Sequence, residues 1–342
     1  MKKLVCIMMA GLLLISQAGC SSFDKVKKPD ENGVLTFKVA HDSADTVPVS
    51  IGLFKFAELV EERSDGKIKI EVYNNGQLGS ASDYVVNTQL GTLDMGVVNQ
   101  SVLSSFVTDL AAVDIPYIIE GYEHADRVFE GETGEYYSQE ITDLMGTQVL
   151  DIWEVGFRNL TNSKHPVNQV EDIKGLRIRT MDNKVHQEFW KSMGADPVPM
   201  SWNEAYTAMQ QKAIDGQENP LSVILGNNVA EVNKELAMTE HVYSSIFFLM
   251  SKDAWNALTE DQQKIIKECA KEAGQYEREE QRRQADEAMA ELEKQGMKIT
   301  KPDKQQFIDS SAQFRKEYGK VYQNIVDMIE AARKNEKELC YV

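Results

Sequence analysis

Cysteine is scarce in this sequence, which limits both disulfide and metal chemistry. Among 342 residues there are four cysteines, and two of them, Cys6 and Cys20, lie in the first 20 positions. The other two, Cys269 and Cys340, could pair in an oxidising compartment. Alternatively, one is a buried helix thiol and the other a free thiol near the C-terminus. No Cys/His spacing resembles a zinc site, so no metal is predicted.

Positive charge is also in short supply. The chain has 37 Lys and Arg against 54 Asp and Glu, which gives a formal charge of -17 at pH 7. A nucleic-acid-binding protein needs a basic surface, so this composition argues against that class. An acidic body still permits a small anionic ligand, because the groups inside a cleft decide what that cleft binds.

An apolar run occupies residues 4–15, and it is shorter than a transmembrane helix requires. Two lysines precede it, so residues 1–19 have the form of an export signal. The small residues before Cys20 resemble a bacterial lipoprotein cleavage site, although Gln17 departs from the usual aliphatic residue. We predict cleavage before Cys20 and lipid attachment to its sulfur, and plain secretion is the alternative. Residues 20–33 would then form a tether, with the mature protein outside the cytoplasm.

The sequence does contain a regular alternation of strand and helix patterns. Apolar and polar residues alternate at Leu35–Val39 and again at Ile68–Val72, and helical segments separate the predicted strands. Such alternation favours an α/β fold with a sheet in each domain. The length of the chain suggests two domains.

Polar side chains follow the first three predicted strands. The pairs are His41 and Asp42, Asn75 and Gln77, and Gln100 and Ser101. Ligands of α/β proteins tend to lie beyond the carboxyl ends of strands. These residues are therefore candidates for lining a binding cleft.

Three side chains between residues 153 and 220 have the character of a clamp for a small planar anion. Arg158 follows a short apolar run, Arg179 closes the run LRIR, and Asn219 lies in a turn-like QENP. An arginine fork can donate two parallel, charge-assisted hydrogen bonds to one carboxylate. Each arginine could instead pair with a neighbouring acid. Arg177 should face the same side of its strand as Arg179 and is the alternative candidate.

The same segment resembles a known protein family. Between residues 156 and 220 the chain contains, in order, GFRNLTNSKHPV, EDIKGLRIRT, GADPVPMSWNEAY and DGQENP, and further upstream NNGQLG and GTLDMGVVNQS. This series is similar to the DctP family, the extracytoplasmic solute-binding proteins of TRAP transporters, over nearly all of the mature chain. The resemblance implies that Arg179 binds the ligand carboxylate, with Arg158 as a second arginine and Asn219 as a ligand amide.

The resemblance also implies an architecture. We expect a two-lobed periplasmic-binding-protein-like fold, with a hinge cleft and a long helix that spans both lobes. The predicted division is 34–155 plus 244–283 for lobe I, and 156–243 plus 284–335 for the carboxylate-binding lobe II. A capping box at Thr259 and Gln262 begins a helix predicted to run to about Gln295, and its polar middle suits a bridging helix. One last helix is predicted from about Asp303 to Arg333.

These features predict a solute-binding protein of a TRAP-type transporter, and no enzyme activity. The ligand would be a small organic acid anion, and the best candidate is a sugar acid such as a uronate or aldonate. A C4-dicarboxylate or a keto acid is the alternative. The ring of Trp202 could stack on a sugar face, although aromatic residues more often lie in a core. A monomer would deliver its cargo to the membrane permease subunits, and its only membrane contact would be the lipid anchor.

Two other functional classes remain open at this stage. A sensor subunit that reports a ligand to a signalling receptor would need the same closure of two lobes. A secreted sugar-acid enzyme would need a nucleophile with a base, a metal set or a cofactor loop, and the sequence supplies none, so no cofactor is predicted. Asp215 and Glu218 could form a carboxylate pair, but acids that accompany the two arginines are the simpler interpretation.

Overall fold

A computed structural model describes residues 27–333 of the chain. The predicted signal peptide, Cys20 and Cys340 lie outside the described residues. The strands within the described part are β1 (Leu35–Ala40), β2 (Ile68–Tyr73), β3 (Met95–Asn99), β4 (Gln148–Phe157), β5 (Asn159–Asn162), β6 (Arg177–Thr180), β7 (Asp196–Pro199), β8 (Gly216–Asn219), β9 (Glu235–Ala237), β10 (Tyr243–Met250) and β11 (Lys298–Thr300).

The helices of the same part alternate with these strands, as the sequence predicts. They are α1 (Pro48–Arg63), α2 (Ala81–Gln89), α3 (Gln100–Leu103), α4 (Tyr122–Phe129), α5 (Glu132–Met145), α6 (Lys184–Ser192), α7 (Trp202–Gln210), α8 (Leu221–Gly226), α9 (Lys252–Asn256), α10 (Glu260–Lys294), α11 (Lys304–Ser310), α12 (Ala312–Val321) and α13 (Gln323–Ala331). None of them is both long enough and apolar enough to span a bilayer.

The strands form two separate sheets, one in each lobe. The first has the order β2-β1-β3-β10-β4, with β10 antiparallel to both of its neighbours. The second has the order β11-β9-β5-β8-β6-β7, with β6 parallel to β7 and β8. All eight residues of β10 are buried, because this strand lies inside its sheet and has packed helices on its faces. The structure thus confirms a two-lobed α/β architecture.

Helix α10 connects the lobes, close to the bounds that the sequence predicts. Its first half packs Ile266 and Ala270 into the core of the first lobe, and its last turns pack Ala288 and Leu292 into the second. Thr259 makes the predicted capping box with Gln262. The polar middle was expected to cross solvent, but Glu277 and Gln281 are buried there, because they continue the inward-facing stripe of the helix.

The C-terminal segment differs from its prediction. In place of one helix over about 303–333, the chain forms three, with breaks at Ser311 and Tyr322. Phe307 and Phe314 pack into the core of the second lobe, whereas Ile325 and Ile329 pack into the core of the first. A straight helix could not reach both cores, so the breaks let the chain turn back towards lobe I. The described part of the predicted lobe II segment, residues 284–333, therefore packs on both lobes.

Candidate ligand-binding cleft

A cavity of about 340 Å³ lies between the two lobes, and we call it the interlobe cleft. Its lining comes from the carboxyl ends of strands in both sheets, where α/β folds place their ligands. The polar and aromatic members of the lining are His41, Asp42, Ser43, Ser80, Ser82, Asn99, Arg158, Arg179, Asp182, Ser201, Trp202, Asn219 and Gln281.

The lobes touch each other around this cleft. Asn203 of α7 donates from Nδ2 to the carbonyl of Gly79 at 3.2 Å. On another side, Ser105 donates from its hydroxyl to the carbonyl of Asp182 at 3.1 Å. Gly76 has a φ of +67°, and a Cβ there would lie 2.4 Å from the Asn203 amide. The loop NNGQLG therefore needs a glycine at this position to let α7 approach.

Arg179 lies at the centre of the second-lobe wall, on β6 between β7 and β8. Its side chain is buried, its Nε donates to the carbonyl of Met200 at 3.0 Å, and its guanidinium lies over the ring of Trp202 at 5.4 Å. No carboxylate of the described residues forms an ion pair with it. Burial, reinforced by the charge of Arg158, lowers the pKa of Arg179 to about 10. The group stays charged at neutral pH, and an anion in the cleft would stabilise it.

Arg177, the alternative candidate on the same strand, has a different environment. Its guanidinium donates to the Asp215 carboxylate from Nη2 at 2.8 Å and from Nε at 3.1 Å. It also donates to the carbonyls of Lys212 and Ala213. The hydrogen bonds from Arg177 hold the pKa of Asp215 at about 2. Arg177 does not line the cleft. Its two bonds to one carboxylate are made to a side chain of the protein itself and not to a ligand.

Arg158 combines the two environments, because it lines the cleft and also has an internal partner. It follows β4 at the crossing between the lobes, and its guanidinium forms a buried ion pair with Glu218. Nη2 donates to Glu218 Oε1 at 2.9 Å, and Nη1 donates to the hydroxyl of Ser244 at 3.1 Å. The alternative of a salt bridge at the hinge is therefore present in the structure, together with a place in the cleft wall.

Glu218 joins Arg158 to a buried network that sequence analysis missed. His241 Nε2 lies 3.0 Å from Glu218 Oε2, and His186 Nδ1 lies 3.6 Å from Glu218 Oε1. Burial opposes ionisation of Glu218, but the Arg158 charge and the two histidines outweigh it and hold its pKa well below the usual range. On its other side, His186 Nε2 lies 3.2 Å from Asp114 of the first lobe.

The two histidines of this network have opposite charge preferences. Burial alone would lower the pKa of His186, but Asp114 and Glu218 together raise it to about 9. Burial lowers the pKa of His241. A neutral His241 donates from Nε2 to Glu218 and accepts at Nδ1 from the hydroxyl of Thr239, 2.9 Å away. What distinguishes Glu218 from the many surface acids of the chain is its burial, and the sequence does not reveal that.

Asn219 ends β8 beside Arg179 and lines the cleft. It is buried, and its Nδ2 donates to Gln217 Oε1 at 2.6 Å, so its Oδ1 is available as an acceptor. Gly216, three residues earlier, has no room for a side chain, because a Cβ there would lie 2.0 Å from the carbonyl of Thr161. The motif GQEN therefore packs β8 closely against β5, which fixes Glu218 and Asn219 in the wall.

On the first-lobe wall, two of the six sequence candidates line the cleft. His41 is buried, and burial lowers its pKa. Asp42 has a partly accessible side chain, 3.7 Å from His41 Nδ1, and forms no ion pair with a Lys or Arg of the described residues. Asn75 and Gln77 are exposed and do not line it. Asn75 has a φ of +55° and donates to Asp45 Oδ1 at 3.0 Å, because this loop turns away from the cleft.

Gln100 and Ser101 lie outside the cleft lining, contrary to the prediction. Gln100 donates to the carbonyl of Tyr243, and Ser101 donates to Asp114 Oδ1 at 2.6 Å. Asn99 is the last residue of β3 and lines the cleft, and its Oδ1 accepts from the amide of Ser101 at 3.0 Å. The following helix turns the next two side chains into the lobe.

Other lining residues could have been found from patterns in the sequence. Ser80 precedes Asp83 by three and makes a capping box at the start of α2. Gln281 follows Glu277 by one helical turn, in phase with the buried stripe of α10, and this spacing indicates burial. Within the described residues, no group of three His, Cys, Asp or Glu side chains is arranged to hold a metal ion. Cys269 is buried and forms no disulfide bond within residues 27–333.

Together, the two sheets and the interlobe cleft between them are the architecture of a two-lobed solute-binding protein. A family model described as DctP, bacterial extracellular solute-binding protein family 7, matches residues 39–322. The chain belongs to this DctP family of extracellular solute-binding proteins.

Relatives with known ligands are found among both sequences and structures. A TRAP periplasmic solute-binding protein from Polaromonas sp. JS666, bound to D-erythronate, has a TM-score of 0.85 and 31% identity, covering 88% of this chain and 99% of that one. A similar protein from Sulfurospirillum deleyianum, bound to succinate, has a TM-score of 0.82 and 28% identity, covering 87% and 98%. The sialic acid-binding periplasmic protein SiaP of Vibrio cholerae is 32% identical over 262 residues, 77% of this chain and 81% of its own.

Proposed function

We propose that this protein captures a small organic acid, best a sugar acid such as a uronate or aldonate, for a TRAP-type transporter. The observation that carries the proposal is Arg179, a buried arginine in the cleft wall with no carboxylate partner among the described residues. A buried cation of this kind is costly unless an anion joins it. A ligand carboxylate would supply that anion.

The second-lobe wall suits one end of the ligand. Arg179 can offer its two Nη groups, because its Nε is engaged with Met200 and its face with Trp202. Asn219 Oδ1 can accept from a ligand hydroxyl. Arg158 is already neutralised by Glu218, so we assign it a supporting charge beside the carboxylate, with Arg179 as the main contact. Trp202 then contributes as the platform on which the Arg179 guanidinium rests.

The first-lobe wall favours a polyol over a second carboxylate. Asp42 can accept from ligand hydroxyls, as can Ser80 and Asn99, which also line the cleft. A dicarboxylate would place its second negative charge near Asp42, and like charges disfavour such a complex. The contacts expected from Asn75, Gln77, Gln100 and Ser101 are not part of this proposal.

The proposal is tested by replacing Arg179 and, as a matched control, Arg177 on the same strand. Binding of D-galacturonate, D-erythronate and succinate is measured by calorimetry after a thermal-shift screen. Arg179→Ala should weaken binding of the best acid by about 2–5 kcal/mol, the usual loss when one partner of a buried charge pair is removed. Arg177→Ala should leave it within about threefold. Equal affinity in both variants would contradict the proposal.

Delivery to the permease rests on family membership, and we propose anchoring through Cys20. Mass spectrometry of the protein from membranes should show a lipid-modified Cys20 at its N-terminus, whereas a Cys20→Ser variant should lose the modification. A sensor role would use the same cleft. Deleting the genes of the permease subunits and measuring uptake of the identified acid would distinguish a sensor role from transport.

A further inference from the structure

A second cavity lies at the hinge, and we call it the hinge cavity. Its volume is about 520 Å³, larger than the interlobe cleft. The two crossings between the lobes contribute Phe157 and Asn159 on one side and Met238 and Glu240 on the other. Gln281 of α10 is common to the linings of both cavities. The hinge cavity has no part in the ligand capture that we propose for Arg179.

The lining of the hinge cavity carries an excess of positive charge, although the protein as a whole is acidic. Lys304, Arg315 and Arg333 face two carboxylates, Glu120 and Glu240. Lys304 is ion-paired with Glu240, and Arg333 Nη1 lies 3.2 Å from Glu120 Oε1. Arg315 has no carboxylate partner within residues 27–333, and its Nη2 donates to the carbonyl of Ile308 at 3.3 Å. One cation is therefore left without a counter-charge.

Hydrogen-bond donors are also left over around this cavity. Gln281 Nε2, Arg315 Nε and Arg333 Nε are all buried and have no acceptor among the atoms of residues 27–333, and each belongs to a side chain that lines the cavity. Buried donors usually bond to protein, water or a ligand, so these three donors need acceptors from outside the described residues. A ligand of the hinge cavity would therefore have to supply hydrogen-bond acceptors.

The backbone at the hinge cavity is strained at two positions. Tyr117 has a φ of +61° and Glu240 a φ of +41°, although neither residue is a glycine. Both line the cavity. Left-handed conformations are unfavourable for such residues and are concentrated at functional sites, where the surrounding structure maintains them. The His241 carbonyl accepts from the Tyr117 amide at 2.9 Å and helps to hold this geometry.

We propose that the hinge cavity is a second ligand site, which binds a small monocarboxylate with an apolar or aromatic body. The carboxylate would lie between Arg315 and Lys304, and the single uncompensated cation matches a single negative charge. The body would pack against the apolar part of the lining, which includes Phe157, Leu221, Met238 and Ile308. This ligand differs from the proposed polyol acid of the interlobe cleft, because its body would pack on apolar side chains, whereas the polyol would donate hydrogen bonds to Asp42.

Benzoate is a suitable probe, and benzyl alcohol is its uncharged counterpart. Binding is followed by NMR titration of the full mature chain, and a crystal soaked with benzoate locates the probe. Arg315→Gln removes the unpaired cation, and Lys304→Gln is a second variant in case the first folds poorly. Arg283→Gln is the matched control, since Arg283 lies on α10, is half-exposed and pairs with Glu280 and Glu287 outside the cavity.

We expect benzoate to bind, with density beside Arg315, and benzyl alcohol to bind at least tenfold more weakly. Arg315→Gln or Lys304→Gln should weaken benzoate roughly tenfold, the change produced by about 1.4 kcal/mol. Arg283→Gln should not change it. The same titration in Arg179→Ala separates the two sites. Benzoate binding that is lost in Arg179→Ala and kept in Arg315→Gln would place the probe in the interlobe cleft and overturn the proposal, as would no binding at all.

Discussion

The two walls of the interlobe cleft are built in different ways. The second-lobe wall presents Arg179 and Asn219 from strands inside a sheet, with Arg158 locked behind them by Glu218. The first-lobe wall presents His41 and Asp42 from the segment that follows β1. Side chains on strands are held more rigidly than side chains on loops. We therefore expect the second lobe to fix the carboxylate of the ligand and the first lobe to discriminate between hydroxyl groups and a second negative charge.

The largest expected effect comes from breaking the rigid wall at Glu218. Glu218→Gln would leave the buried Arg158 charge without its partner, and loss of one partner of a buried pair costs about 3–5 kcal/mol. Urea unfolding measures the free energy of unfolding. Asp215→Asn is the control, because its partner Arg177 is partly exposed and can turn to water, so a loss of about 1–2 kcal/mol is expected there. Equal losses would contradict this account of the wall.

His186 connects the two lobes, and its titration should make the free energy of unfolding depend on pH. Its folded pKa, about 9, lies above the ordinary value of 6.5, so its contribution is complete below pH 6.5 and is lost as pH rises to 9. The free energy of unfolding should fall over this window by at most about 1.4 kcal/mol per pH unit. His186→Gln should flatten the slope, and the exposed His165→Gln should not. An unchanged slope in His186→Gln would show that other groups carry it.

We expect the selectivity of the first-lobe wall to depend on Asp42. Asp42→Asn removes a negative charge from the cleft, so succinate should bind about tenfold more tightly, a gain of about 1.4 kcal/mol. Binding of the sugar acid should weaken or stay the same. Asp45→Asn, an exposed neighbour outside the lining, should alter neither. Calorimetry with both acids gives the ratio, and an unchanged ratio would mean that Asp42 does not select the ligand.

The smallest effect concerns the support of Arg179 by Trp202. Replacing the ring by Leu removes a cation–π contact worth about 0.5–1 kcal/mol, so affinity should fall up to about fivefold. Trp255→Leu removes a similar contact, with Lys267, far from the cleft. It should leave affinity unchanged. A loss much larger than fivefold in Trp202→Leu would indicate that the ring touches the ligand itself.

Much of the fold was predictable because its signals are local. The alternation in β1 and β2, and the capping boxes before α7 and α10, depend on residues within a few positions of each other. The short strands β5, β9 and β11 were not predicted, whereas the similarly short β6 was, because its alternating run LRIR begins one residue before the strand. The C-terminal helix was predicted as one piece because its apolar stripe is continuous in sequence, while its parts pack on different lobes.

The candidate site divides along the same line. Arg179, Arg158 and Asn219 were found from their motifs, and the structure brings them together in one wall. Gln100 and Ser101 follow a strand as His41 and Asp42 do, but the helix after β3 turns them inward. Nothing local distinguishes the two cases. Asn99, the last residue of β3, was not among the sequence candidates, although it lines the cleft.

The sequence by itself determined the α/β class, the family and the arginine-rich segment, since periodicity, capping and motifs are written in neighbouring residues. Only the tertiary structure decided which arginine is free. Arg177 and Arg179 are two residues apart on one strand, yet Asp215 neutralises the first, whereas the second lines the cleft and forms no ion pair with a carboxylate of the described residues. That difference arises because burial and ion pairing depend on residues far apart in the chain, whose distances no sequence pattern records.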